Sequence, residues 1–111
     1  MKMKITNNNE WVELDKDDQV LVGVPKHALE QIGQIVHIHF PKVGQALKKG
    51  DAVFVLESTK SAIDIYAPLS GVVVKINQAL KDNVDLINHA DEKEAWVYKI
   101  SVASLDEYNA L

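Results

Sequence analysis

The 111-residue chain contains no cysteine, which excludes a disulfide scaffold, a thiolate nucleophile and a cysteine-based metal site. It contains no arginine either: all 12 basic residues are lysines. The planar fork that clamps phosphate, carboxylate or guanine in two hydrogen bonds is therefore missing. No GxxxxGK[ST] or GxGxxG occurs, so the common phosphate cradles are missing as well. The net charge is −4, without the excess of positive charge on which duplex binding rests. Long apolar runs are absent, and none approaches the length of a membrane span. The opening MKMKITNNNE has no apolar core and no arginine-rich amphipathic stretch, so it reads as neither a signal nor a transit peptide and a cytoplasmic location is expected.

What is present is a chain that is 47% hydrophobic and 25% charged, enough to bury a core at this length, with one domain over 1–111 expected. Its apolar residues come in short runs. Strands are expected at Trp11–Leu14, Gln19–Val24, Ile35–Phe40, Ala52–Glu57, Ala62–Tyr66, Val72–Ile76 and Ala95–Ile100, separated by turn-rich segments that include Asp15–Asp18 and Asp82–Asn88. Pro25 opens a short helix over Lys26–Ile32, with Gly33 at its end. Ser104-Leu105-Asp106-Glu107 matches a capping box ahead of a short C-terminal helix at Tyr108–Leu111. This pattern predicts an all-β sandwich or barrel of small antiparallel sheets with two short helices. GQALKKG (44–50) echoes NQALKDN (77–83), and IGQIVHI (32–38) echoes SGVVVKI (70–76). The echoes are unequally spaced, which fits two half-sheets related by a pseudo-two-fold as well as chance.

Lys60 stands alone in the polar segment Glu57-Ser58-Thr59-Lys60-Ser61, between two apolar strands. That arrangement predicts an exposed hairpin, yet its turn has neither Gly nor Asn-Gly, which suggests that the side chains themselves are required. A solvated turn lysine is the ordinary alternative. Amine catalysis needs a lysine that is buried or beside another cation, whereas Glu57 and Asp64 stabilise an ammonium. A modification site has the opposite needs, a long exposed side chain on a rigid platform, and this segment meets them.

The same residues resemble a known pattern. Glu57-Ser58-Thr59-Lys60-Ser61-Ala62, then Asp64-Ile65-Tyr66-Ala67-Pro68-Leu69-Ser70-Gly71, is similar to the lipoylation motif of glycine cleavage system H proteins, E-S-V-K-A followed by S-D-x-x-S-P-x-S-G-x-V. Glu10-Trp11-Val12, Val22-Gly23-Val24 with His27-Ala28, and Leu29–Gly44 resemble that family's H-E-W-V, V-G-I-T-D-H-A-Q and L-G-x-I-V-x-V-x-L-P-x-V-G. Asn77–Asn88 and Trp96 resemble its closing segment. The resemblance covers nearly the whole chain. It implies a barrel-sandwich hybrid fold and a carrier that is not itself an enzyme, with lipoic acid amide-linked to Lys60 as a swinging arm. Glu57, Ser58, Thr59 and Ser61 would be read by a lipoate ligase or lipoyl transferase. Glu10, His27 and Asp64 would line the cleft that receives the loaded arm, a carboxylate there pairing with an aminomethyl cation.

Where the family pattern has His, Thr-Asp, an acid and an acid-Gly pair, this chain has Asn9, Pro25-Lys26, Lys42 and Glu94-Ala95. Two acids become lysines on a surface that partners would read. This points to an H-like branch that relays lipoyl groups to 2-oxoacid dehydrogenases or serves redox-linked ADP-ribosylation with a macrodomain partner, beside the glycine cleavage enzymes themselves. A biotin carrier module is the close rival. Its A-M-K-M is matched here only by Met1-Lys2-Met3, without the alanine or the flanking strands. An unmodified interaction domain is the other alternative. His37 and His39 fall on one face of a strand, which is read as an exposed face rather than a metal site. His89 is assigned no role, and Trp11 and Trp96 are read as packing residues.

Overall fold

A computed structural model describes residues 3–6, 10–15 and 19–111. Met1-Lys2-Met3, Asn9 and the turn at Asp15–Asp18 thus lie wholly or partly outside the described residues. Among the described residues, nine strands form two antiparallel sheets. The larger runs β1 (Lys4–Ile5), β2 (Trp11–Leu14), β3 (Gln19–Gly23), β9 (Tyr98–Val102), β8 (Gly71–Ile76) and β5 (Ala46–Leu47), in that order. The smaller runs β4 (Ile35–His39), β6 (Ala52–Ser58) and β7 (Ala62–Tyr66). Between them sits a core that includes Leu56, Ile65, Leu69, Val73 and Ile100, each essentially inaccessible. Burying each such aliphatic side chain contributes about 1.5–3 kcal/mol.

The strands pair as their alternation dictates, with exceptions set by bulges. In β4 the register slips between Ile35 and His37, so Val36 and His37 both face outward while Ile35 and Ile38 face the core. In β6 a slip between Ala52 and Phe54 turns both Val53 and Phe54 inward, which is why that segment reads as a continuous apolar run. Opposite Trp11 stands Gly23. A Cβ there would lie 2.5 Å from the indole, so only glycine lets the fully buried Trp11 cross its partner strand.

Four short helices complete the described residues, two more than the patterning predicts. α1 (Lys26–Ile32) lies where expected. α2 (Gln78–Asp82) and α3 (Leu86–His89) occupy much of the segment read as turns, because their anchors are tertiary. The Asn77 amide donates to the carbonyls of Glu94 and Trp96 at 3.1 and 2.8 Å. Asn88 accepts from the Ile35 N–H and donates to the Ile35 carbonyl, both at 3.0 Å, standing in for a strand neighbour. The last strand starts at Tyr98 rather than Ala95, although the Val97 N–H already bonds Val22. α4 (Leu105–Asn109) begins earlier than predicted: the Ser104 hydroxyl accepts the Asp106 N–H, but Glu107 leaves the capping box. Its carboxylate instead accepts the N–H and hydroxyl of Ser70, at 2.8 and 3.1 Å, tying α4 to the Pro68–Gly71 segment.

The echoes fare differently. Residues 35–38 and 71–76 are both strands, β4 and β8. The shared Gln-Ala-Leu-Lys is part strand at Ala46–Leu47, which pairs with β8, and helix at Gln78–Asp82. The identical tetrapeptide therefore does not extend the expected pseudo-two-fold; its conformation follows its neighbours. Among the described residues no helix is long and apolar enough to cross a membrane.

Candidate functional site

Lys60 sits at the apex of the β6–β7 hairpin, whose last Cα pair is Glu57 opposite Ala62. The apex is closed without glycine. The Ser58 N–H donates to the Ser61 carbonyl at 2.8 Å. The Ser58 hydroxyl oxygen accepts the N–H groups of Lys60 and Ser61 at 3.1 and 3.0 Å. A serine hydroxyl thus does locally what a special backbone conformation does in other tight turns. The Thr59 N–H reaches across to the Gln34 carbonyl at 3.1 Å, fixing the apex to the residue pair that follows α1. Lys60 itself is exposed, and among the described residues no carboxylate pairs with it.

Glu57, the first residue of the motif, is held from the neighbouring strand. His39 Nε2 lies 2.5 Å from Glu57 Oε1, and the His37 ring meets the His39 ring edge to face with centroids 4.4 Å apart. The hydrogen bond from His39 holds the Glu57 carboxyl below the ordinary carboxylate range, helped by the charge of both imidazoles. The shared strand face predicted for the two histidines is present and exposed, and its partner is this carboxylate. Strand register was needed to see the pairing.

A cleft of about 520 Å³ opens beside the hairpin, between α1 and α3. It is lined by apolar Leu29 and Ile87, by Gly33, Gln34 and Asn88, and by the ionisable side chains of Lys26, Glu30 and His89. A Cβ on Gly33 would lie 3.8 Å from Lys60 Cδ, so the lysine stem already runs along the edge of this cleft. No local sign of this cleft stands in the sequence, because Asp82–Asn88 reads as a turn and His89 belongs to no motif.

The three residues assigned to an arm cleft are not among those that line this one. His27 is exposed on the first turn of α1 and Asp64 is exposed on β7; neither lines the α1–α3 cleft. Glu10 is fully buried where the chain enters β2. Among the described residues, neither of its carboxyl oxygens makes a hydrogen bond of good geometry. Burial pushes its pKa up to about 7, and the Thr6 hydroxyl offsets this only in part. The buried Tyr98 hydroxyl and Trp11 Nε1 also find no partner among those residues. Tyr98 is held well above its ordinary range by burial and then by the charge of Glu10. Trp11 is core, as expected, and Trp96 is half-buried.

Comparison with known proteins agrees with this architecture. The family model for the glycine cleavage H-protein matches residues 3–111. A glycine cleavage system H protein of Thermotoga maritima is 42% identical over 112 residues, spanning 100% of this chain and 90% of the relative. One from a Psychrobacter species is 41% identical over 110 residues, spanning 99% and 87%. The crystal structure of a glycine cleavage system H protein from Mycobacterium marinum superposes with a TM-score of 0.84 at 29% identity, covering 92% of this chain and 84% of that one. The two sheets are thus the expected barrel-sandwich hybrid, and the chain belongs to the glycine cleavage H-protein family, whose members are lipoyl carriers rather than catalysts.

Proposed function

We propose that Lys60 bears lipoate in amide linkage and that the chain carries the one-carbon unit between the enzymes of glycine cleavage. The observation that carries this reading is the geometry of the amine: exposed, at a hydrogen-bonded apex, with its stem against Gly33 at the edge of the α1–α3 cleft. A swinging arm needs a stiff root and a free end, and a lysine with every neighbouring turn amide satisfied supplies both. Lipoate, once attached, supplies a thiol for the aminomethyl group and a disulfide redox couple. Leu29 and Ile87 would flank its apolar carbons. Glu57, Ser58, Thr59 and Ser61 would form the surface read by a lipoate ligase or lipoyl transferase. The loaded arm would also meet His27 and Asp64, which are accessible, and Glu10 once the groups covering it move aside.

Lys26 favours a second reading. It lines the cleft beside Glu30, and its positive charge would offset the attraction of that acid for a cationic cargo. With Lys42 exposed as well, this supports an H-like role, in lipoyl relay to 2-oxoacid dehydrogenases or in redox-linked ADP-ribosylation with a macrodomain partner. Reconstitution of the lipoylated protein with glycine cleavage partner enzymes separates the two. Glycine-dependent carbon dioxide release that is lost in Lys60→Arg supports the first reading. A lipoylated protein that is inert until Lys26→Asp restores turnover supports the second.

A further inference from the structure

An enzyme that modifies Lys60 must choose it from 12 lysines, so the choice has to come from fixed groups around the amine. At the apex those groups are fixed by Ser58 and by the Thr59–Gln34 hydrogen bond. Glu57 lies just outside that network. On an exposed strand face a glutamate has several rotamers, and ordering it on binding costs affinity. Here its carboxylate is instead bound to His39. The two meet diagonally, since His39 is opposite Val55 and His37 is opposite Glu57; such diagonal contacts need long side chains held in place. The His37 ring, edge to face on His39, supplies that hold. The bulge at Val36 sets which residues of β4 share this outward face.

We infer that His39, buttressed by His37, is a positioning residue for lipoylation: it fixes the Glu57 carboxylate in the orientation that the lipoate-attaching enzyme reads beside Lys60. His39 touches neither lipoate nor the lysine amine and acts only through Glu57. Both partners are about half exposed, so the pair adds little to stability and its removal leaves the fold standing. The inference rests on Lys60 being the lipoylated lysine. Because it concerns the acceptor surface, it holds whichever client enzymes the arm serves.

The test is steady-state lipoylation of the intact chain by a purified lipoate–protein ligase with lipoic acid and ATP, read by intact mass, with thermal melts to confirm folding. His39→Ala should raise the KM for the acceptor about three- to tenfold, the cost of ordering one free side chain, and leave kcat unchanged. His39→Gln, which keeps an N–H donor, should recover most of the loss. The His39→Ala/Glu57→Gln double variant should be no worse than Glu57→Gln alone, because the two residues act as one unit. An acceptor KM within about twofold of wild type for His39→Ala, or effects of the two substitutions that simply multiply, would overturn the inference. A wild-type chain that takes no lipoyl group would overturn the reading of Lys60 itself, a different result from a normal wild type with an unaffected variant.

Discussion

Replacing Glu10 with glutamine should remove a pH dependence that the wild-type protein carries in its core. Glu10 is fully inaccessible, and burial raises its pKa from 4.5 to about 7. Between those values the folded state holds a proton that the unfolded state has released, so stability falls as pH rises. The contribution of the neutral acid is complete below about pH 4.5 and gone above about pH 7. That rise in pKa corresponds to about 3 kcal/mol, at about 1.36 kcal/mol per pH unit. Between about pH 5 and about pH 8 the linkage expression gives a loss of about 2.5 kcal/mol. A glutamine side chain cannot ionise, so the stability of Glu10→Gln should change over that interval only through the groups both proteins share. Urea unfolding of both proteins at the two pH values measures this as a difference of differences, in which the shared groups cancel. The buried amide of the variant has its own cost, which is why the slope is compared rather than absolute stability. A variant that loses as much stability as wild type between the two pH values would show that Glu10 is not the source of the pH dependence. So would a variant stabilised at low pH rather than high.

Gly23→Ala drives a methyl group into the Trp11 indole, where neither strand can yield without breaking the β2–β3 ladder; urea unfolding should show about 1–3 kcal/mol lost, with the m-value kept. Asn77→Ala leaves the Glu94 and Trp96 carbonyls without their amide donor. It should cost about 1–3 kcal/mol, and hydrogen exchange should rise first in α2 and the segment ahead of β9.

The hairpin that bears Lys60 was legible because its two signals are local: alternating or continuous apolar strands, and a polar break between them. Lys26–Ile32 was legible for the same reason, with Pro25 before it and Gly33 after. The short helices at Gln78–Asp82 and Leu86–His89 were not, since what holds them is Asn77 reaching residues 94 and 96 and Asn88 reaching Ile35, contacts with no trace in a local window. That loss hid the α1–α3 cleft, one wall of which is Ile87, Asn88 and His89. The link between His39 and Glu57 was hidden by register. Both residues read as exposed polar positions, and only the bulge at Val36 and the β4–β6 pairing bring them together. Glu10 shows the converse. Its place in the motif was legible, but its full burial was not, because a glutamate beside a turn reads as surface.

We propose a carrier whose arm hangs from one lysine. Peptide-mapping mass spectrometry of the protein isolated from its native host tests it most directly. One lipoyl group is expected, on Lys60 and on none of the other lysines, absent in Lys60→Arg. A biotin on Lys60, a lipoyl group on a different lysine, or an unmodified Lys60 in a host that lipoylates its other carriers would contradict it.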